Sequence, residues 1–348
     1  MKKAVHAGRL TIGGGAPVSV QSMTNTRTED VPATLAQIRA LAAAGCDLVR
    51  VSVYNDACVQ AVRPLVDQSP VPLCADIHFD SRLAVGAVEN GIAKLRINPG
   101  NIGGEEKVRY VADCLKRHHI PVRIGVNSGS IEKDILAAHG GVTAEGMCES
   151  ALRHARLLEQ AGYDDIVLSL KASDVRLTVD AYRRIDRLCD YPLHVGVTEA
   201  GLPGEGTVKS AIGIGALLLD GIGDTIRVSL TGDPVREPEA ALTILRALGL
   251  RQGIRWTSCP TCGRTRIDVE AISRQLRESL ADVTADLSVA VMGCVVNGPG
   301  EARDKDIALC GGDQCAALYI KGEYVRTLRG NLTAEMVRAV REYIHDKG

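Results

Sequence analysis

Between residues 18 and 230 one phrase recurs eight times: a short β-branched run, one or two polar residues, then an amphipathic stretch rich in Ala and Leu. Few folds accommodate that rhythm. The apolar runs occupy 18–23, 48–53, 73–77, 95–98, 122–126, 166–171, 193–197 and 226–230, with helical stretches such as 31–44 and 105–118 between them. Strands alternating with helices imply βα units on a parallel sheet, and eight of them predict an α/β fold of the (β/α)8 TIM type. Pro70, Pro72, Pro121 and Pro192 mark entries into strands. Residues 4–17 read as a small hairpin capping the barrel floor, and 237–248 as the closing helix. A chain of 348 residues exceeds the size at which single cores stop growing, so two domains are expected, a barrel over 1–250 and a smaller α+β domain over 251–348. The second domain reads as strand 254–257, a Cys-x-x-Cys turn, helix 269–280, strand 287–292, a loop bearing Cys294, a hairpin near 317–326 and a last helix from Thr333.

In barrels of this type the chemistry sits at the carboxyl ends of the strands. Those ends carry Gln21, Ser22, Asn25 and Arg27, then Arg50 and Ser52, Asp76 and His78, and Arg96, Asn98 and Asn101. Further on come Arg123, Asn127 and Ser130, Lys171 and Ser173, His194, Thr198 and Glu199, and Arg227 and Ser229, with Lys209 and Ser210 following the seventh strand. Arg50, Arg96, Arg123, Lys171, Lys209 and Arg227 exceed what Asp76 and Glu199 can neutralise. The expected ligand is therefore an anion, most naturally a phosphate or diphosphate. Any one of these arginines could instead point into a layer of salt bridges inside the barrel. Lys171 could alternatively serve as the Schiff-base lysine of an aldolase.

Cys259-x-x-Cys262 followed by Cys294 in Gly293-Cys-Val-Val-Asn-Gly-Pro-Gly-Glu301 points to metal chemistry. A structural zinc site wants four Cys or His ligands, and neither a second Cys-x-x-Cys nor a His follows before Cys294. A thioredoxin-like dithiol needs no distant third Cys. Three thiolates with Glu301, seven residues past Cys294 across a tight turn, can hold a cubane iron–sulfur cluster. A carboxylate on iron is harder and more labile than a thiolate. An ordinary surface turn at 297–300 remains the plain alternative.

A net charge of -1 and 3% aromatic residues argue against a nucleic-acid partner. No apolar run opens the chain or reaches membrane-spanning length, so neither a signal peptide nor a membrane anchor is expected. Eleven cysteines point to a reducing, cytoplasmic location. Cys46, Cys58, Cys74, Cys114, Cys148 and Cys189 read as small core hydrophobes, and Cys310 and Cys315 as a pair of loop thiols.

With these residues assembled, the chain resembles the 4-hydroxy-3-methylbut-2-enyl diphosphate synthases, iron–sulfur enzymes of non-mevalonate isoprenoid synthesis. The resemblance runs nearly end to end, through Val20-Gln-Ser-Met-Thr-Asn-Thr-Arg27, Ala75-Asp-Ile-His-Phe-Asp80, Leu95-Arg-Ile-Asn-Pro-Gly-Asn-Ile-Gly103, Arg123-Ile-Gly-Val-Asn127, Lys171-Ala-Ser-Asp174, Thr198-Glu-Ala-Gly201 and both cysteine motifs. It looks like the short two-domain form, and Cys310-x4-Cys315 is not part of the family's pattern. The resemblance implies reductive ring opening of 2-C-methyl-D-erythritol 2,4-cyclodiphosphate, with electrons from flavodoxin or ferredoxin passing through a 4Fe-4S cluster. It implies cluster ligation by Cys259, Cys262, Cys294 and Glu301, and diphosphate binding by Arg50, Arg96, Arg123, Lys171, Lys209 and Arg227. Glu199 is the candidate proton donor, Glu301 the second catalytic carboxylate. A homodimer is expected, head to tail, with one protomer's cluster capping its partner's barrel.

Overall fold

A computed structural model describes residues 2–78, 80–98, 104–296 and 298–347. The chain divides into two compact units, Met1–Leu248 and Gly249–Gly348. In the first, a hairpin of β1 (Val5–Ala7) and β2 (Leu10–Ile12) precedes the parallel strands β3 (Ser19–Met23), β4 (Leu48–Ser52), β5 (Leu73–Asp76), β6 (Lys94–Ile97), β7 (Val122–Asn127), β8 (Ile166–Lys171), β9 (His194–Val195) and β10 (Thr225–Ile226). Neighbours pair in the order β8-β7-β6-β5-β4-β3-β10-β9. A parallel bridge from Leu168 to Leu193 closes the ring. The expected TIM-type barrel is therefore present.

The local sequence explains the hand-over from strand to helix. Asp30, Asn55, Asp80, Thr143 and Asp174 each accept a backbone N–H of the following first turn, satisfying donors that a helix start leaves open. Helices cover the sheet's outer face, so strands such as β5, β6 and β8 are buried at every residue. Inside, Val5, Ala7 and Ile12 of the hairpin pack with Leu48, Cys74 and Val167, forming the barrel floor. Cys46, Cys58, Cys74, Cys114 and Cys148 are buried and Cys189 is half-buried.

The seam between β8 and β9 is the thinnest part of the ring. Runs expected at 193–197 and 226–230 shorten to two residues each, because Gly196 brings its backbone against the Arg227 carbonyl and the regular ladder stops. Tyr182, from the helix Val175–Leu188, bridges the seam: its hydroxyl accepts from Leu170 N–H and donates to the His194 carbonyl.

The second unit is one mixed sheet of β11 (Ile254–Ser258), β12 (Leu287–Met292), β13 (Ile307–Gly312), β14 (Cys315–Ile320) and β15 (Glu323–Arg329), paired in that order. The first three are parallel and the last two antiparallel. Helices Val269–Ser279 and Leu332–Lys347 pack on the face carrying Val289, Val291, Ile307 and Leu309. The opposite face carries Ala290, Met292, Ala308 and Cys310. Strand β13 was not expected: its Gly-Gly ending reads as loop, whereas in the fold those glycines finish the strand and Asp313-Gln314 make the turn, with Gln314 at φ 54°.

Candidate active site and thiol edge

Eleven side chains from the carboxyl ends of the barrel strands line one cavity: Arg50, Asp76, His78, Arg96, Arg123, Asn127, Ser169, Lys171, Thr198, Arg227 and Ser229. Period-2 alternation explains the set, since Asp76 and His78, Ser169 and Lys171, and Arg227 and Ser229 are each two residues apart and share a face. Two glycines make room for the cations. A Cβ at Gly125 would stand 2.9 Å from Arg96 Nε, and one at Gly196 would stand 3.1 Å from Lys171 Nζ.

Asp76 organises the mouth. Arg96 Nη1 donates to its Oδ1 at 3.1 Å, while His78 Nε2 and Arg50 Nε lie 3.4 and 3.9 Å from Oδ2. Burial opposes its ionisation, but Arg50, His78 and Arg96 outweigh that and hold the carboxyl well below the usual range. Across the ring, Glu237 accepts from Arg227 Nε and Nη2 at 3.3 Å, from Ser22 Oγ at 2.7 Å and from Leu230 N–H at 3.1 Å. Arg123 and Lys171 have no such carboxylate among the described residues. Burial, reinforced by Arg50, pulls Arg123 down to about 9. Burial, with Arg123 and Arg227 adjacent, pulls Lys171 well below an ordinary lysine. A pocket so unbalanced toward positive charge is built to receive an anion.

Four expected substrate residues stand outside this cavity, each for a physical reason. Lys209 lies on the second turn of helix Glu205–Leu219, half-buried and paired with Glu205 at 2.7 Å. Ser210, beside it, turns inward and is fully buried, its hydroxyl without a hydrogen-bond partner. Ser173 is exposed past the end of β8, and Asn98 is buried beyond the end of β6. Asn101 falls outside the described residues. Ser169 and Glu237 were missed: alternation back from Lys171 would have found the first, but nothing local marks the second, which reaches the mouth from the closing helix. Glu199 follows Thr198 directly, is exposed, and holds φ 50°, a strained conformation for a residue with a side chain.

In the second unit, Cys259 and Cys262 follow β11, Cys294 follows β12, and Glu301 ends the short helix Gly298–Glu301. All four lie past the carboxyl ends of adjacent parallel strands. Cys259 Sγ accepts from Gly293 N–H at 3.1 Å, and Arg266 N–H donates to the Gly293 carbonyl at 2.8 Å, which fastens the first loop to the second. Three thiols and one carboxyl on a fastened, partly exposed edge suit iron–sulfur chemistry as a donor set. As the chain stands, however, no three His, Cys, Asp or Glu side chains among the described residues are grouped closely enough to hold a metal ion. Cys310 is fully buried beneath the edge, its thiol pushed up to about 12 by burial and then by Cys294 and Cys259. Cys315 is half-buried on the next strand.

The fold and these two clusters define a TIM-type barrel with an anion-seeking mouth, continued by a separate thiol-bearing unit of mixed sheet. Residues 2–242 match the GcpE TIM-barrel domain and residues 255–345 the GcpE protein C-terminal domain. The chain belongs to the GcpE family. It is 51% identical over 342 residues to the 4-hydroxy-3-methylbut-2-en-1-yl diphosphate synthase (flavodoxin) of Ruminiclostridium cellulolyticum, covering 98% of this chain and 97% of that one. It is also 51% identical over 347 residues to the protein of the same name from Geobacter sulfurreducens, covering 99% and 98%. Among solved structures, 3-dehydroquinate dehydratase from Geobacillus kaustophilus superposes with a TM-score of 0.53 at 16% identity, covering 72% of this chain and 98% of that one. That likeness speaks to the barrel fold alone. Among the described residues no helix is long and apolar enough to cross a membrane.

Proposed function

We infer that this chain makes 4-hydroxy-3-methylbut-2-enyl diphosphate from 2-C-methyl-D-erythritol 2,4-cyclodiphosphate, taking its electrons from flavodoxin. In this reaction two electrons enter, the ring C–O bond to phosphate breaks, and a hydroxyl leaves as water after gaining a proton. The observation that carries the reading is the buried cationic mouth, where, among the described residues, Arg50, Arg96, Arg123, Lys171 and Arg227 face only Asp76 and Glu237. A cyclic diphosphate is a compact dianion, opposite in sign to that excess.

A 4Fe-4S cluster held by Cys259, Cys262, Cys294 and Glu301 would supply the electrons and Lewis acidity. The chain's own groups do the rest. Arg50, Arg96, Arg123, Lys171 and Arg227 bind the phosphoryl oxygens and stabilise the negative charge released on them as the ring opens. Asp76 and Glu237 fix three of those guanidinium groups, and His78, Asn127, Thr198 and Ser229 offer hydrogen bonds to the sugar-derived hydroxyls. Glu199, at the rim, protonates the departing hydroxyl. This binding set is narrower than the sequence suggested, since Asn98, Ser173, Lys209 and Ser210 are left out. The reading includes a homodimer in which one protomer's cluster caps its partner's barrel, and a cytoplasmic location in keeping with eleven cysteines.

The test is an oxygen-free assay with the cyclodiphosphate and reduced flavodoxin or a chemical reductant. Formation of the linear diphosphate is expected. Iron-replete protein that binds the cyclodiphosphate but never opens it would overturn the assignment.

A further inference from the structure

Below the mouth lies a second layer of charge that the proposed chemistry does not use. Lys94 sits two residues before Arg96 on β6, so the two share a face of the strand. Its Cα partner on β5 is Cys74, whose side chain belongs to the barrel floor. Lys94 is fully buried and its Nζ has no hydrogen-bond partner, nor does any carboxylate among the described residues pair with it. It does not line the cavity. His194 on β9 is equally buried, and both its ring nitrogens, like Nε and Nη1 of Arg123, are without a hydrogen-bond partner among the described residues.

An ammonium group in such a place is costly, because nothing replaces the water it has lost. Burial pulls Lys94 down to about 7, with Cys74 acting against the shift and Arg123 adding to it. The groups that bear on it are Cys74 on β5 and Arg123 on β7, and Lys94 in turn acts on His194 on β9. Arg123 is positive and His194 can become so. The one large change this layer can undergo is the arrival of negative charge from above, against Arg96 and Arg123. That lowers the cost of a charged Lys94 and favours its protonated form.

We propose that Lys94 takes up a proton from solvent when the mouth binds a polyanionic phosphate ester, so that a lysine that never touches the ligand governs how binding depends on pH. This rests on the phosphate-ester reading above. The amine lone pair accepts the proton, and no electron moves. Lys94 is thus a positioning residue, which answers the ligand's charge through Arg96 and Arg123 without touching it.

Calorimetry decides the matter. Oxidised holoenzyme, kept free of oxygen and of reductant so that no turnover occurs, is titrated with the cyclodiphosphate in buffers of different ionisation enthalpy. The ligand's phosphoryl hydroxyls are diester acids, fully ionised in this range, so it brings no proton of its own. At pH 8, above the free-protein midpoint of Lys94, binding is expected to take up roughly half a proton or more, with Lys171 contributing a share. In Lys94→Met that uptake falls by half or more, whereas near pH 6, where Lys94 is already charged, variant and wild type agree. Lys94→Gln gives the same comparison should the Met variant fold poorly. Binding enthalpies that are equal in every buffer, or variants that take up as many protons as wild type, overturn the inference while leaving the functional reading intact. Failure of the cyclodiphosphate to bind at all removes that reading, and the inference with it.

Discussion

Asp76 carries more of the mouth than any other single residue, because one carboxylate braces Arg96, Arg50 and His78 at once. Removing one partner of a buried pair leaves the other charge uncompensated, so Asp76→Asn is expected to lower stability at pH 7 by about 3 kcal/mol. Chemical denaturation checks that figure. The same group fixes an acid limb. Its folded pKa lies below its unfolded value, so its contribution is fully present above about pH 4 and is lost as pH falls further, toward the folded value. Wild type should therefore lose melting temperature between pH 5 and pH 3 more steeply than Asp76→Asn, and equal slopes would refute the account. The asparagine variant should also bind the cyclodiphosphate less well, through disordered arginines.

At the scale of elements, two glycines decide whether the strands can carry their cations, and they predict different failures. Gly125→Ala places a methyl 2.9 Å from Arg96 Nε, a side-chain atom that can turn aside. The fold should survive while KM for the cyclodiphosphate rises by about tenfold, the scale of one weakened charge-assisted contact. Gly196→Ala places its methyl 2.4 Å from the Arg227 carbonyl oxygen, which is backbone and cannot move without opening the β9–β10 pairing. A loss of about 1 to 3 kcal/mol of stability is expected there. Melting curves alongside steady-state kinetics separate the two outcomes. If Gly125→Ala unfolds and Gly196→Ala is kinetically altered but stable, the packing argument is wrong.

For the whole molecule, the two units divide the labour: cations in the barrel, thiols on the edge of the mixed sheet. Protein purified without oxygen should hold about four irons per chain. Glu301→Ala should keep most of that iron, since three thiolates remain, yet lose turnover; full activity in this variant would remove Glu301 from the ligand set. The dimer can be tested by mixing. Arg123→Met and Cys294→Ser are each expected to be inactive alone. Co-expressed in equal amounts, half of the dimers are mixed and each holds one intact site, so about a quarter of wild-type activity should return if a site draws on both protomers. No recovery would mean that each chain works alone.

Much was legible in the chain as written. Runs such as 166–171 announced strands because a parallel barrel strand is buried on both faces and must be apolar nearly throughout, whereas the caps at Asp30, Asn55 and Asp174 emerged only from the structure. The arginines were legible as a group because each falls in or just beyond a barrel-strand run, although Arg123 stands at the start of β7 and reaches the mouth beside Arg96. Alternation back from Lys171 marks Ser169, which was overlooked, whereas past the end of β8 alternation no longer holds, and Ser173, included as a ligand, is exposed. Lys209 read as a ligand group, but its helix pairs it with Glu205, and Glu237 read only as the start of the closing helix, but packing buries it against Arg227. Local chemistry and periodicity thus determined the barrel and the inventory of charges. Only the tertiary structure decided which of those charges meet, which are braced by a carboxylate, and which, like Lys94, are left buried without one, because contacts between residues far apart in sequence depend on how elements pack and not on what flanks them.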